Sequence, residues 1–135
     1  MRSSILKFQP DRAEGVNTIT RHDASSIWVG PMGFRHSLLV PWQGEVRLWS
    51  PARVEDLLEA HFEQALALHP ELVIFGSGSR HRFIAPALIR CLIERGVGVE
   101  MMNTAAACRT YNVLAGEGRA VLAALLLEAP AASPA

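Results

Sequence analysis

The stretch from Glu71 to Met101 constrains the fold more than any other part of the chain. "ELVIF" (71–75) is almost wholly apolar, as a strand must be when both of its faces are covered. It runs into Gly76-Ser77-Gly78-Ser79, and then Ile84, Leu88, Ile89, Leu92 and Ile93 recur at helical spacing. Pro86 is tolerated there because it falls in the first turn, and Gly96 closes the helix. "VGVEM" (97–101) follows as a second buried strand. Strand, helix and strand with short links make a βαβ unit. The strands are therefore expected to lie parallel, joined by a right-handed crossover.

The rest of the chain has to cover that unit. Upstream, "ILKF", "NTITRH", "SIWVG", "HSLLVPW" and "EVRLW" read as short strands, punctuated by Asp11 to Gly15, Gly30-Pro31-Met32-Gly33 and Gln43-Gly44. Ser50 is a suitable N-cap, with Pro51 at the first helical position. Val54, Leu57, Leu58, Phe62, Ala65 and Leu66 then form one apolar face, and Pro70 ends that helix. Thr104 is placed to cap a further helix through about Leu114. Gly116 breaks it, and Glu117 to about Glu128 is expected to form a last helix with Val121, Leu122 and Leu125 inward. A chain of 135 residues fits one domain, taken as residues 1–128. The tail 129–135, "APAASPA", is too small and proline-rich to pack and is expected to be disordered.

Charge and cysteine usage narrow the function. Thirteen basic residues balance thirteen acidic ones, which argues against a general nucleic-acid binder. Lys7 is the only lysine, so nearly every cation is an arginine, whose planar fork suits carboxylate and phosphate. Cys91 and Cys108 lack the close partners of a metal motif, and the histidines are scattered, so neither metal nor cofactor is expected. Both cysteines fall in expected helices, as reduced thiols do in a cytosol-like compartment. The N-terminus shows no signal-peptide core, and no run reaches the ~18 apolar residues that span a bilayer. The expectation is a soluble cytoplasmic protein with no membrane contact. Its oligomeric state is not encoded in these patterns.

Several motifs occur in an order that resembles the Mth nine-three-eight domain family, a domain of unknown function. They are the apolar strand entering Gly76-x-Gly78, "TAAACRTYN" from Thr104 to Asn112, and "LAGEGRAV" around Glu117 and Arg119. Upstream, "SIWVGPMGFRHSLLVP" and "VRLW" are also similar, so the resemblance covers roughly residues 16 to 127. Ser77 stands where many relatives carry Thr. The family includes a mitochondrial complex I assembly factor and an adipogenesis-associated protein. The resemblance implies a single compact α/β domain, with helices on a mixed central sheet and a smaller N-terminal β layer. It also suggests protein binding, and supplies no reaction.

The candidate site follows from the topology. Ligands of open α/β sheets sit beyond the carboxyl ends of the strands. There, Gly76, Ser77, Gly78 and Ser79 let the backbone turn, and Arg80 and Arg82 add charge. A helix start near Ile84 would favour an anion at that loop. The second turn brings Thr104, with Arg109 and Asn112 further along its helix. These residues are taken to line one cleft that accepts an anionic group from a protein partner, or a small anion. A structural turn with a solvated rim fits the same loop, and Arg109, Tyr111 and Asn112 fit a buried hydrogen-bond network. The alternative function is a small enzyme or binding protein for an anionic metabolite, with Cys108 or His81 as the reactive group. His61 is expected at the edge of the first helix's apolar stripe, and an exposed tryptophan among Trp28, Trp42 and Trp49 would favour an interface.

Overall fold

The structure is a computed structural model that describes residues 15–128. The expected strand "ILKF" and the tail 129–135 lie outside the described residues. A small antiparallel sheet comes first, ordered β1 (Ile19–His22), β2 (Ile27–Val29), β3 (Met32–Phe34). A five-stranded mixed sheet follows. Its members are β4 (Leu38–Val40), β5 (Arg47–Leu48), β6 (Leu72–Gly76), β7 (Gly98–Met102) and β8 (Val121–Leu125), in spatial order β5-β4-β8-β6-β7. Helices α1 (Glu59–Leu66), α2 (Arg90–Glu94) and α3 (Thr104–Gly116) complete a single α/β domain. Among the described residues, no helix is long and apolar enough to cross a membrane.

Strict alternation along the central strands builds a core on each face of the large sheet. Leu38, Val40, Leu72, Ile74, Val121, Ala123 and Leu125 face α3 and the small sheet. Leu39, Val73, Phe75, Leu122 and Ala124 face α1 and α2. On that second face Trp49, Phe62 and Phe75 meet edge to face, with ring centroids 5.6–6.4 Å apart. Such T-shaped contacts add to what burial of the rings contributes.

The parallel pairing of β6 and β7 is as expected, running from Leu72↔Gly98 to Gly76↔Met102. β7 itself is an edge strand rather than a buried one. Gly98 and Glu100 are exposed, and the charge at Glu100 was the sign of it. The larger correction concerns residues 117–128. No helix forms there: Gly118 turns the chain at φ +84°, and Val121–Leu125 becomes β8. β8 runs parallel to β6 and antiparallel to β4, buried throughout. Val121, Leu122 and Leu125 do fit helical spacing, but a continuous apolar run fits a doubly covered strand equally well.

The helix starts also differ from expectation. Ser50 and Pro51 begin no helix. A 3-10 turn at Val54–Asp56 precedes α1, which starts at Glu59. His61 supports that start, accepting from Leu58 N–H at 2.9 Å through Nδ1, with Nε2 3.1 Å from Ser50 Oγ. In place of a long helix from Ile84, a 3-10 turn at Pro86–Ile89 leads into the five-residue α2. Asn103 rather than Thr104 caps α3, its Oδ1 accepting from Ala106 N–H at 2.8 Å. Met32–Phe34, expected within a loop, is a strand. Gly30 and Pro31 form the two-residue hairpin turn before it.

Two neighbouring residues of α3 fasten the small sheet to the large one. Tyr111 Oη donates to Asn17 O at 2.8 Å and lies 3.1 Å from Pro41 O. Asn112 acts as a surrogate strand on the outer edge of β1: its Oδ1 accepts from Ile19 N–H at 2.9 Å and its Nδ2 donates to Ile19 O at 2.8 Å. The network expected for this stretch of α3 is thus formed by Tyr111 and Asn112, and the exposed Arg109 takes no part in it. Replacing Asn112 with alanine should leave both Ile19 groups unpaired and lower stability by about 1–3 kcal/mol. Urea denaturation checks this, since an unchanged midpoint would show that the amide pair does not hold the sheet.

Candidate functional site

The carboxyl ends of β6, β7 and β8 bring three polar turns together. Gly76 ends β6 where only a residue without Cβ fits, because a methyl there would lie 2.9 Å from Thr104 Cα. Gly78 takes φ +102°, a conformation costly for any side chain. With those two allowances the first residue of α3 packs directly on the loop. Thr104 N–H donates to Gly78 O at 2.9 Å, and Thr104 Oγ1 accepts from Gly78 N–H at 2.8 Å. The same hydroxyl donates to Leu126 O at 2.7 Å. Ser77 is buried beneath the turn, its N–H donating to Met102 O at 2.8 Å and its Oγ accepting from Arg82 N–H at 2.9 Å.

A cleft of about 390 Å³ opens over this junction. Gly78, Ser79, Asn103, Thr104 and Ala105 form one side, and His22, Asp23 and the segment after β8 form the other. At its rim the Glu128 carboxylate lies on the loop, with Oε1 accepting from Ser79 N–H at 3.1 Å and Ser79 Oγ–H at 3.0 Å. Asp23 accepts from the backbone of Ser25 and Ser26, both at 2.9 Å. The Ser25 N–H bond above all, followed by the bond from the Ser26 hydroxyl, holds its carboxyl below the usual carboxylate range.

The expected site residues divide between this cleft and other places. Gly78, Ser79 and Thr104 line it, while Gly76 and Ser77 shape it from beneath. The expected arginine rim is corrected by the geometry. Arg82 turns away to Glu55, with 2.8 Å between Nη2 and Oε2, and Arg80 is exposed outside the lining. Arg109 is exposed further along α3, and Asn112 is committed to Ile19. The helix dipole expected from a start near Ile84 is missing as well, because residues 80–85 are irregular. Cys108 faces the core, and burial pushes its thiol up to about 12, with Arg109 only partly opposing the shift. His81 packs by Phe83 at 4.5 Å and lines no part of the cleft. Among the described residues, no group of three His, Cys, Asp or Glu could hold a metal ion.

His22, Asp23 and Glu128 were missed from sequence. Each depends on a long-range placement, and Glu128 was hidden by the helical reading of 117–128.

Residues 19–126 match the model of a family described as protein of unknown function (DUF498/DUF598). The chain belongs to this family. Within it, NADH dehydrogenase [ubiquinone] 1 alpha subcomplex assembly factor 3 of Bos taurus is 36% identical over 80 residues, covering 58% of this chain and 44% of that protein. The chain thus spans less than half the length of that relative. The Xenopus tropicalis protein of the same name is 31% identical over 130 residues, 93% of this chain and 68% of that protein. Among solved structures, a Bordetella parapertussis protein superposes with a TM-score of 0.81 at 38% identity, covering 87% of this chain and 100% of its own. A Bordetella pertussis protein described as an Mth938-like domain gives 0.79 at 32%, covering 90% and 92%. The DUF498/DUF598 chain is therefore Mth938-like in both sequence and fold.

Two outcomes follow for this member of the family. Thr104→Val keeps the shape of the side chain but strips Gly78 N–H and Leu126 O of their buried partner. Stability should fall by about 2–3 kcal/mol, with Thr104→Ser close to wild type, as read by chemical denaturation. Cys108 should resist iodoacetamide at pH 8 in the native protein, because the reactive species is the thiolate and burial keeps this thiol protonated. Peptide mapping of labelled native and denatured protein checks this, and modification of native Cys108 would contradict its burial.

Proposed function

We propose that this chain is a non-enzymatic binding or assembly module whose cleft receives an acidic group from a partner protein. One observation carries the reading: a carboxylate, the chain's own Glu128, already rests on Ser79 N–H and Oγ–H at the mouth of the cleft. The loop therefore presents donors in the arrangement that a carboxylate accepts. Charge-assisted bonds of this kind are stronger than those between neutral groups. The assembly-factor names carried by relatives agree with a protein partner. The two groups named for the alternative chemistry do not meet at the cleft, since Cys108 is buried in the core and His81 lies outside the lining. A cytoplasmic setting goes with this reading, since Cys91 and Cys108 are both free thiols.

The test is a titration of isotope-labelled protein with a peptide of alternating alanine and glutamate, followed by amide chemical shifts. Gly78, Ser79 and Ala105 should move with that peptide and stay still with its alanine–glutamine counterpart. Equal responses to both peptides, or none to either, would remove the acidic-group reading.

A further inference from the structure

A second opening, of about 640 Å³, lies where the chain enters the small sheet, and it shares no lining residue with the cleft described above. Three stretches line it: residues 15–18, the β2–β3 hairpin and residues 44–46. Its walls are apolar. Val16, Phe34 and Val46 are only partly buried and pack on the core beneath α3, so the opening is an uncovered margin of that core. Met32, beside them, is 60% exposed. Glu45 is the single charged residue of the lining, and among the described residues it enters no ion pair. The sheet is also open on this side. Asn112 occupies the outer edge of β1, whereas among the described residues β3 is bonded only to β2. Natural proteins commonly cover such an edge.

We infer that this opening is the docking site of the chain's own residues 5–8, Ile-Leu-Lys-Phe, with Leu6 and Phe8 on the apolar walls and Lys7 paired to Glu45. The inference is independent of the acidic-group reading of the cleft. Three observations select this occupant. The first is where the described chain starts: Gly15 itself lines the opening, and its φ of +83° turns the backbone there. Six residues, Gln9 to Glu14, separate Phe8 from Gly15, and fully extended they reach about 20 Å. A segment on that tether can fold back over an opening that begins at its own point of exit. The second is pattern. In an extended segment alternate side chains point opposite ways, so Leu6 and Phe8 share one face and Lys7 takes the other, toward the rim. The third is charge, since the chain's single lysine meets the single charged residue of the lining. A short tether holds its segment at an effective concentration of about millimolar, which favours it over the same segment of a second copy.

The experiment is NMR on the isotope-labelled full chain. Nuclear Overhauser contacts should join the Phe8 ring to the side chains of Met32 and Val46. In the double variant Leu6→Ser with Phe8→Ser, amide shifts should appear at Val16, Met32 and Val46, while Phe75 and Thr104 stay where they are and report an intact fold. Charge exchange tests the pairing. Glu45→Lys and Lys7→Glu should each lower the ratio of docked to undocked segment about twofold to fivefold, the size expected for an exposed pair. Combining Lys7→Glu with Glu45→Lys should restore it. Contacts from Phe8 to neither side chain, or a Leu6→Ser/Phe8→Ser spectrum unchanged at the opening, would overturn the docking. Contacts seen only between labelled and unlabelled molecules in a mixed sample would overturn it in favour of a second copy's segment. A combined charge variant no better docked than either single one would overturn the Lys7–Glu45 pairing.

Discussion

Three distant stretches of the chain converge on the hydroxyl of Thr104. It accepts from Gly78 N–H, donates to Leu126 O, and is itself buried. A buried hydroxyl stripped of both partners would be strongly unfavourable, so the position of each stretch is tied to the other two. Gly76 makes the junction possible by leaving room for the start of α3, and Gly78 by adopting a backbone angle that other residues avoid. The cleft is what remains open above this junction. Its shape is therefore a property of three-way closure rather than of any one loop.

β8 delivers the third stretch. It is bonded on one side to β4 and on the other to β6, and so joins the β-rich first half of the chain to the βαβ unit. Its alternate residues feed both cores, the odd-numbered ones toward α3 and the even-numbered ones toward α1 and α2. A strand in that position leaves no slack at its carboxyl end. Leu126 N–H donates to Gly76 O and Leu127 N–H to Ser37 Oγ, which carries Glu128 out to Ser79 at a fixed height. The rim of the cleft is thus set by a strand that is buried throughout.

What could be read in the sequence follows from how local each feature is. The parallel pair β6 and β7, the glycine loop after β6 and the helix 104–116 each announce themselves within a few residues, through apolar runs, glycines and caps. β8 did not, because five consecutive apolar residues carry no period that separates a covered strand from a buried helix. The starts of α1 and α2 were misplaced because serine and proline suit the first turn of a helix and equally an extended or 3-10 segment. The arginines were the hardest to place. Arg80, Arg82 and Arg109 are close in sequence to the right turns, but a long side chain goes where its counter-charge lies. For Arg82 that is Glu55, in the 3-10 turn that precedes α1. Glu128 carries no local mark at all, since its place at the cleft comes from strands that meet only in the folded sheet.

An internal carboxylate on the receiving loop also bears on selectivity. A partner's carboxylate arriving at Ser79 would exchange with Glu128 rather than fill an unmatched positive site, so like replaces like at that atom. Such an exchange gains little from charge alone. Discrimination would then rest on the apolar walls from Leu126 and Leu127. A balance of thirteen basic and thirteen acidic residues suits a binder of this kind. Long-range steering is weak for a neutral molecule, so any partner would have to be selected by short-range fit at the cleft.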